Sequence, residues 1–335
     1  MAHNQTQPYE MTVRECQPMD PIFGSTMPKI VCMMRVKNEE RWIVPTLTAA
    51  SPIVAGFVIL DDNSTDRTPE LCRAFPKVIR FERQTESKLD EARDKDRLLQ
   101  WTLDEKPDWI LALDGDEVFE NVAPTAIARE IAICPHEVTA LAFNFLYMWD
   151  SHDRYRVDGK YGELYHTRLF KISGLNQDSR SLRFRRTTYG GNLHCGSIPG
   201  NLSGLVQYID VNVKHYGYFE RSMRAAKRVF YERTDPVHAS QGYYDHLSDE
   251  QGMVLMPWQE RDATEVAYSD GGDRRLVRIP IKLSSPLWRF RFFVSLLKGG
   301  SSIKRMFMRV IGGNFRQNGR KASFRAAPGS EKGGQ

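Results

Sequence analysis

Two carboxylates one residue apart, Asp114 and Asp116, follow directly on the apolar run Trp109-Ile110-Leu111-Ala112-Leu113 and open the short acidic stretch Asp114-Gly115-Asp116-Glu117. Hard oxygen ligands at that spacing can share one divalent cation, and Mg2+ or Mn2+ suits such a pair. A cation held there can bridge diphosphate oxygens and offset the charge that builds as a nucleoside diphosphate leaves. A solvated acidic turn is the bland alternative. The fully apolar segment in front of the pair favours the metal.

Two further polar clusters close apolar runs in the same way. Arg35-Val36-Lys37-Asn38-Glu39-Glu40 follows Ile30-Val31-Cys32-Met33-Met34. Asp61-Asp62-Asn63-Ser64-Thr65-Asp66-Arg67-Thr68 follows Gly56-Phe57-Val58-Ile59-Leu60. Short apolar runs ended by turn chemistry read as buried strands. Helices are expected at residues 41–50 and 88–103, and from about Pro69, where Asp66 or Thr68 can cap and proline suits the first turn. Val78-Ile79-Arg80-Phe81 is one more short strand. This alternation predicts parallel βαβ units: an α/β fold with a mostly parallel sheet flanked by helices. Ligands of open parallel sheets bind beyond the carboxyl ends of the strands, so the three loops should converge on one crevice.

From about Thr139 the pattern changes. Strands are expected at residues 141–147, 167–172 and 208–213, followed by a basic helix at 219–232. The chain is expected to divide into a polar extension (1–28), two halves (29–138 and 139–281) and a basic amphipathic tail (282–335).

Together the three loops resemble those of glycosyltransferase family 2. The first apolar run ending in Asn38-Glu39, the stretch Leu60-Asp61-Asp62-Asn63-Ser64-Thr65-Asp66-Arg67-Thr68, and Leu111-Ala112-Leu113-Asp114-Gly115-Asp116-Glu117 stand in that family's order over residues 29–120. The resemblance implies a GT-A fold, a nucleotide-sugar donor (a UDP-sugar first of all), a Mn2+ or Mg2+ cofactor, and transfer with inversion to a glycan, lipid-linked or protein acceptor. It also implies roles for particular residues. Asp61 and Asp62 would contact the nucleobase and ribose. Glu39 and the backbone near Arg35 would line the base pocket, Arg93 would lie near the donor, and Asp114 would bind ribose or metal. Asp116 would ligate the metal, with His215 of Lys214-His215-Tyr216-Gly217-Tyr218 completing the site. Asp66 is expected to be a cap or turn residue.

An inverting reaction needs a carboxylate to take the acceptor proton. The candidates are Asp150, Asp153, Asp158 and Glu163, with Asp158 favoured for its neighbour Gly159 and Asp150 and Glu163 next. His194 resembles a His-Glu segment of the family in which Cys195 replaces the acid. Trp149, Tyr155, Tyr161 and Tyr165 could form a sugar-stacking platform or an aromatic core edge.

Other chemistries fit less well. Asp114-Gly115-Asp116-Glu117-Val118 also matches the nucleophile loop of haloacid-dehalogenase-type phosphatases, in which Asp114 would carry the phosphoryl group. That loop normally follows the first strand, and Asp61-Asp62 would have no role. No GxGxxG follows the first strand, and there is no P-loop. An EF-hand at Asp62 fails, because Arg67 stands at the turn glycine and Arg73 at the final glutamate. Cys16, Cys32, Cys72, Cys134 and Cys195 form no CxxC pair, which argues against zinc or a disulfide framework and for a reducing compartment. A Cys195/His194 nucleophilic pair is awkward, since neighbours on an extended segment point to opposite faces.

The net charge is +5, yet residues 282–335 hold twelve Lys/Arg against Glu331, a net of +11 that leaves −6 for the rest. Large apolar residues interleave with the arginines there, as in interfacial helices on anionic lipid. Docking of the tail on the enzyme body is the alternative, and a non-catalytic adaptor acting through the tail is a third reading. Without a recognisable reading module, nucleic acid is not an expected partner. No secretory leader or membrane span is expected. The expected location is the cytoplasm, with the tail on the membrane face if it binds lipid.

Overall fold

The computed structural model describes residues 27–86, 90–162, 164–186, 194–266 and 276–278. The first strands form where the apolar runs stand: β1 (Ile30–Val36), β2 (Gly56–Asp61), β3 (Val78–Arg83) and β4 (Trp109–Leu113). Between them lie α1 (Ile43–Ala50), α2 (Thr68–Ala74) and α3 (Glu91–Asp104). β1 pairs in parallel with both β2 and β4, and β2 with β3. The α/β sheet expected from the alternation is therefore present.

Strand alternation explains the two layers. Ile30, Cys32, Met34 and Val36 pack with Ile43, Leu47 and Ala50 of α1 and with Ala126, Ile127 and Ile131 of α4 (Ala123–Ile133). Val31, Met33, Val58 and Leu60 pack on the opposite face, against Ala92, Leu98, Leu99 and Leu103 of α3. The chain thus runs outward from β1 to β3 and returns to lay β4 on the other side of β1. A strand-order reversal of this kind opens a crevice at the carboxyl ends of the two central strands. Those ends carry Glu39 and Asp114–Asp116.

The later strands extend the same sheet. β8 (Leu164–Lys171) is antiparallel to β4, and β6 (Val138–Met148) pairs with it. β9 (Leu205–His215) runs parallel to β6, and β5 (Glu117–Phe119) is antiparallel to β9. β7 (Arg154–Arg156), β10 (Leu255–Pro257) and β11 (Leu276–Arg278) complete eleven strands among the described residues. The expected halves, 29–138 and 139–281, therefore share one sheet. The basic helix α5 (Arg221–Thr234) and the short α6 (Pro236–Ser240) follow β9. The basic tail and nearly all of the N-terminal extension lie outside the described residues. Among the described residues no helix is long and apolar enough to cross a membrane.

Candidate active site

The loops after β1 and β2 are knitted together by their own polar residues. Asn38 and Asn63 both adopt φ 55°, a left-handed conformation that asparagine tolerates. Asn38 N–H donates to Ser64 Oγ at 2.9 Å, Glu39 N–H to Thr68 Oγ1 at 2.7 Å, and Glu40 N–H to Asp66 Oδ2 at 3.0 Å. Asp66 also accepts from Thr68 N–H at 3.0 Å, a turn contact just before α2, whose N-cap is Arg67.

Asp61 and Asp62 are both buried. Asp61 accepts from Ser64 N–H at 3.0 Å and pairs with Arg83 at 3.3 Å. Asp62 accepts from Arg35 Nη2 at 2.6 Å, with Gln84 Nε2 at 3.3 Å. Arg35 also reaches Asp94 at 3.0 Å, and Arg93 donates to the same carboxylate at 2.7 Å. Asp94 is thus the buried hub that ties α3 to the ends of β1 and β2. Its sequence signal was an acid one turn before Leu98 on the buried face of α3.

At the end of β4 the acidic loop meets Glu39. A Cβ on Gly115 would lie 2.7 Å from Glu39 Cγ, so only glycine lets the two loops touch. Thr46 Oγ1 donates to Gly115 O at 2.9 Å and fixes the loop on α1. Glu117 is fully buried and clasped by Arg168, which donates through Nε at 2.8 Å and also through Nη2. Arg168 Nη2 lies 3.5 Å from Asp114. Burial pushes Glu117 up to about 7, and Arg168 opposes that rise. At Asp114 the surrounding protein also pushes upward, but Arg168, Lys95 and His215 outweigh it and hold the carboxylate down at about 2. Arg168 was hidden in the sequence as one residue of an apolar strand, without turn or loop chemistry to mark it.

β5 carries Asp116 to β9, with Glu117 opposite His215 in register. His215 Nε2 stands 3.8 Å from Asp116 Oδ2. Ligand atoms of Asp116, Glu117 and His215 all lie within 4.8 Å of one another. His215 Nδ1 is buried without a hydrogen-bond partner. Burial also lowers the His215 pKa, favouring the neutral imidazole that a metal requires. Because Arg168 occupies Glu117, the groups with coordinating capacity to spare are Asp116 and His215. This donor set, one carboxylate and one imidazole with Asp114 and Glu39 close by, fits a Mn2+ or Mg2+ ion.

Gly217 guards the space beside it. A Cβ there would sit 2.5 Å from both Asp116 Oδ2 and His215 Cε1, and 2.7 Å from Lys227 Nζ on α5. Gly217→Ala is expected to weaken Mn2+-dependent nucleotide binding roughly 10–100-fold, as for changes that reorient metal ligands, with folding retained. Calorimetric titration of the variant checks this.

The expected bases are engaged elsewhere. Asp158 forms a two-pronged pair with Arg156, both bonds 2.8 Å, and accepts Val254 N–H at 2.9 Å. Burial pushes its pKa up, but Arg156 and Val254 outweigh that and leave it below the usual range. A carboxylate so stabilised is a weak proton acceptor. Asp150 pairs with Arg224 at 3.0 and 3.2 Å, and Glu163 lies outside the described residues. Trp149 is fully buried with Arg224 over its ring at 4.0 Å, so it belongs to the core edge and not to a sugar platform.

Asp158→Asn is expected to destabilise the fold by about 2–4 kcal/mol, because it strips the partner from buried Arg156. The pair's stabilisation is present above the unfolded aspartate pKa of about 3.9 and fades as pH falls through the lower folded value. Urea denaturation at pH 7 and pH 3 checks both the size and the sign. Turnover per folded molecule should stay within a few-fold.

His194 Nδ1 lies 3.0 Å from Glu91 Oε1, and Cys195 N–H donates to Glu91 Oε2 at 3.2 Å. Burial pushes the Cys195 thiol up to about 12, which removes it as a thiolate nucleophile.

No family model matches the chain. Two curated proteins, from Mycobacterium bovis and Mycobacterium tuberculosis and both described as uncharacterized, are 24% identical over 221 residues. The match covers 62% of this chain and 51% of theirs, so the chain spans about half the length of the curated relatives it matches. S. aureus TarS 1-349 in complex with UDP-GlcNAc aligns over 39% of this chain and 36% of its own, at 16% identity and a TM-score of 0.29. M. tuberculosis glucosyl-3-phosphoglycerate synthase with Mn2+ and UDP-glucose aligns over 36% and 44%, at 19% identity and a TM-score of 0.28. These superpositions are partial, and the fold described above stands on its own strand order and register.

Proposed function

We propose that this chain is a glycosyltransferase of the family 2, GT-A type. It would move a sugar from a nucleotide donor, a UDP-sugar first of all, to a glycan, lipid-linked or protein acceptor with inversion. One observation carries this reading. Asp116 Oδ2 and His215 Nε2 meet at 3.8 Å at the carboxyl end of β4, where the strand order reverses.

Asp116 and His215 would hold the divalent cation, which when bound supplies Lewis-acid neutralisation of diphosphate charge. Lys227 stands beside Asp116, whose carboxylate raises the Lys227 pKa against the effect of burial, so its ammonium is available to a departing phosphate. Asp114, held ionised, can accept a hydrogen bond from a ribose hydroxyl. Arg35, Glu39, Asp61, Asp62 and Arg93 border the nucleoside end, and their hydrogen bonds fix the pocket wall before a ligand arrives.

The phosphatase reading leaves His215 and the buried Asp61–Asp62 network without a role, and Arg168 ties back the Asp114 that would be the nucleophile. The adaptor reading rests on the tail alone. A thermal-shift screen of UDP-, GDP-, CMP- and dTDP-sugars, each with Mn2+ and with EDTA, tests the proposal. A melting-temperature rise with one nucleotide class that needs Mn2+ supports it. A metal-independent rise, or phosphate release from simple phosphomonoesters, counts against it.

A further inference from the structure

The gap beside the candidate metal ligands has a third wall. The point that a Cβ on Gly217 would occupy lies 2.5 Å from Asp116 Oδ2, 2.5 Å from His215 Cε1 and 2.7 Å from Lys227 Nζ. An ammonium from α5 therefore faces the same small space as the carboxylate and the imidazole. Among the described residues Lys227 makes no hydrogen bond or salt bridge, and Nζ stands 5.0 Å from the centre of the Tyr218 ring. Three N–H donors are thus unused beside the acidic loop. The backbone under Lys227 is fixed relative to both ligands. Arg224 lies three residues earlier on the same face of α5. It donates to Tyr218 O at 2.9 Å and Phe219 O at 3.0 Å, and it pairs with Asp150 at 3.0 Å. Tyr216 N–H donates to Asp116 O at 2.9 Å. One short turn after β9 thus joins the acidic loop, His215 and the start of α5.

We propose that Lys227 binds a phosphoryl group of the donor and thereby makes metal binding and nucleotide binding depend on each other. The proposal rests on the glycosyltransferase reading and adds a coupling to it. Without nucleotide, the Lys227 ammonium and a divalent cation on Asp116 and His215 are like charges at one small gap, and each weakens the hold of the other on Asp116. Phosphate oxygens reverse the effect. They accept hydrogen bonds from the ammonium and neutralise both cations, so the same two charges that repel each other now favour one anion. The protein alone therefore holds the ion weakly, and the nucleotide tightens it. By linkage the ion tightens the nucleotide by the same factor. Burial opposes the charge on Lys227, but Asp116 first, then Tyr218, Tyr231 and Glu39, outweigh it, so the ammonium persists across the working range.

The test is calorimetric titration of the full chain with Mn2+ alone, and with UDP in Mn2+, for wild type, Lys227→Gln and Lys227→Arg. Lys227→Gln is expected to bind Mn2+ alone about 3–10-fold more tightly and UDP in Mn2+ about tenfold more weakly. These changes have opposite signs, which a damaged fold or a displaced Asp116 does not produce. Lys227→Arg keeps the charge and should bind Mn2+ alone within about twofold of wild type. Mn2+ affinity that stays level or falls in Lys227→Gln would overturn the proposal, and so would an equal tightening in Lys227→Arg. UDP affinity of Lys227→Gln within about twofold of wild type would also overturn it, because that is the result if Lys227 only neutralises Asp116. All of these outcomes leave the donor reading in place. Equal UDP binding by the wild type in Mn2+ and in EDTA would overturn both.

Discussion

Asp116→Ala is expected to reduce Mn2+-dependent turnover of the sugar nucleotide about 10³-fold, roughly 4 kcal/mol of transition-state stabilisation. The loss should fall on kcat as well as on donor binding, because diphosphate charge grows as the bond to the sugar breaks. The fold should survive. It is the Asp116 backbone carbonyl that accepts Tyr216 N–H at 2.9 Å, and alanine retains it. Removing the carboxylate has opposing effects: it relieves Glu39, whose carboxyl burial and then Asp116 push up, and it takes a favourable charge from Lys227. The melting temperature of the ligand-free variant should stay within about 3 °C of wild type, while the rise on adding nucleotide and Mn2+ disappears. His215→Ala should act in the same direction with a smaller effect.

Arg168→Met should have the largest effect on stability. It leaves Glu117 fully buried without its counter-charge, a defect that costs about 3–5 kcal/mol. For a chain of this size that is a fall in melting temperature of roughly 10 °C. The double variant Arg168→Met/Glu117→Leu removes both charges and should recover most of the stability, since a buried pair replaced by apolar side chains is often near neutral. It should not recover activity. Arg168 also steadies Asp114 and anchors Ser197, and methionine does neither. Thermal melts of the three proteins together with nucleotide-release assays separate the two roles.

The parts of the site that were legible in the sequence are those where an apolar strand ends abruptly in polar turn chemistry. Asn38-Glu39, Asp61-Asp62 and Asp114-Asp116 all stand at such ends, and the strands before them run as expected. His215 was named only through the resemblance of Lys214-His215-Tyr216-Gly217-Tyr218, and nothing in the local pattern says that β9 lies against β5. That pairing is long-range. The same limit hid Arg168, which looks like an interruption in an apolar strand until Glu117 is placed opposite it. Glu91 was hidden differently: an acid in the first turn of a helix has a sufficient local reason to be there, so its bond to His194 leaves no separate trace. Asp158 was favoured because Gly159 suggested an open loop, and the structure pairs it with Arg156 two residues earlier.

The central claim is that Asp116 and His215 hold a cation through which a nucleoside diphosphate is bound. Calorimetric titration of UDP into the wild-type chain and into Asp116→Ala, each with Mn2+ and with EDTA, addresses it most directly. The account expects saturable binding by the wild type in Mn2+, at least about tenfold weaker in EDTA, with Asp116→Ala equally weak under both conditions. Tight binding by the wild type in EDTA, or an Asp116→Ala variant that still responds to Mn2+ as the wild type does, would contradict it.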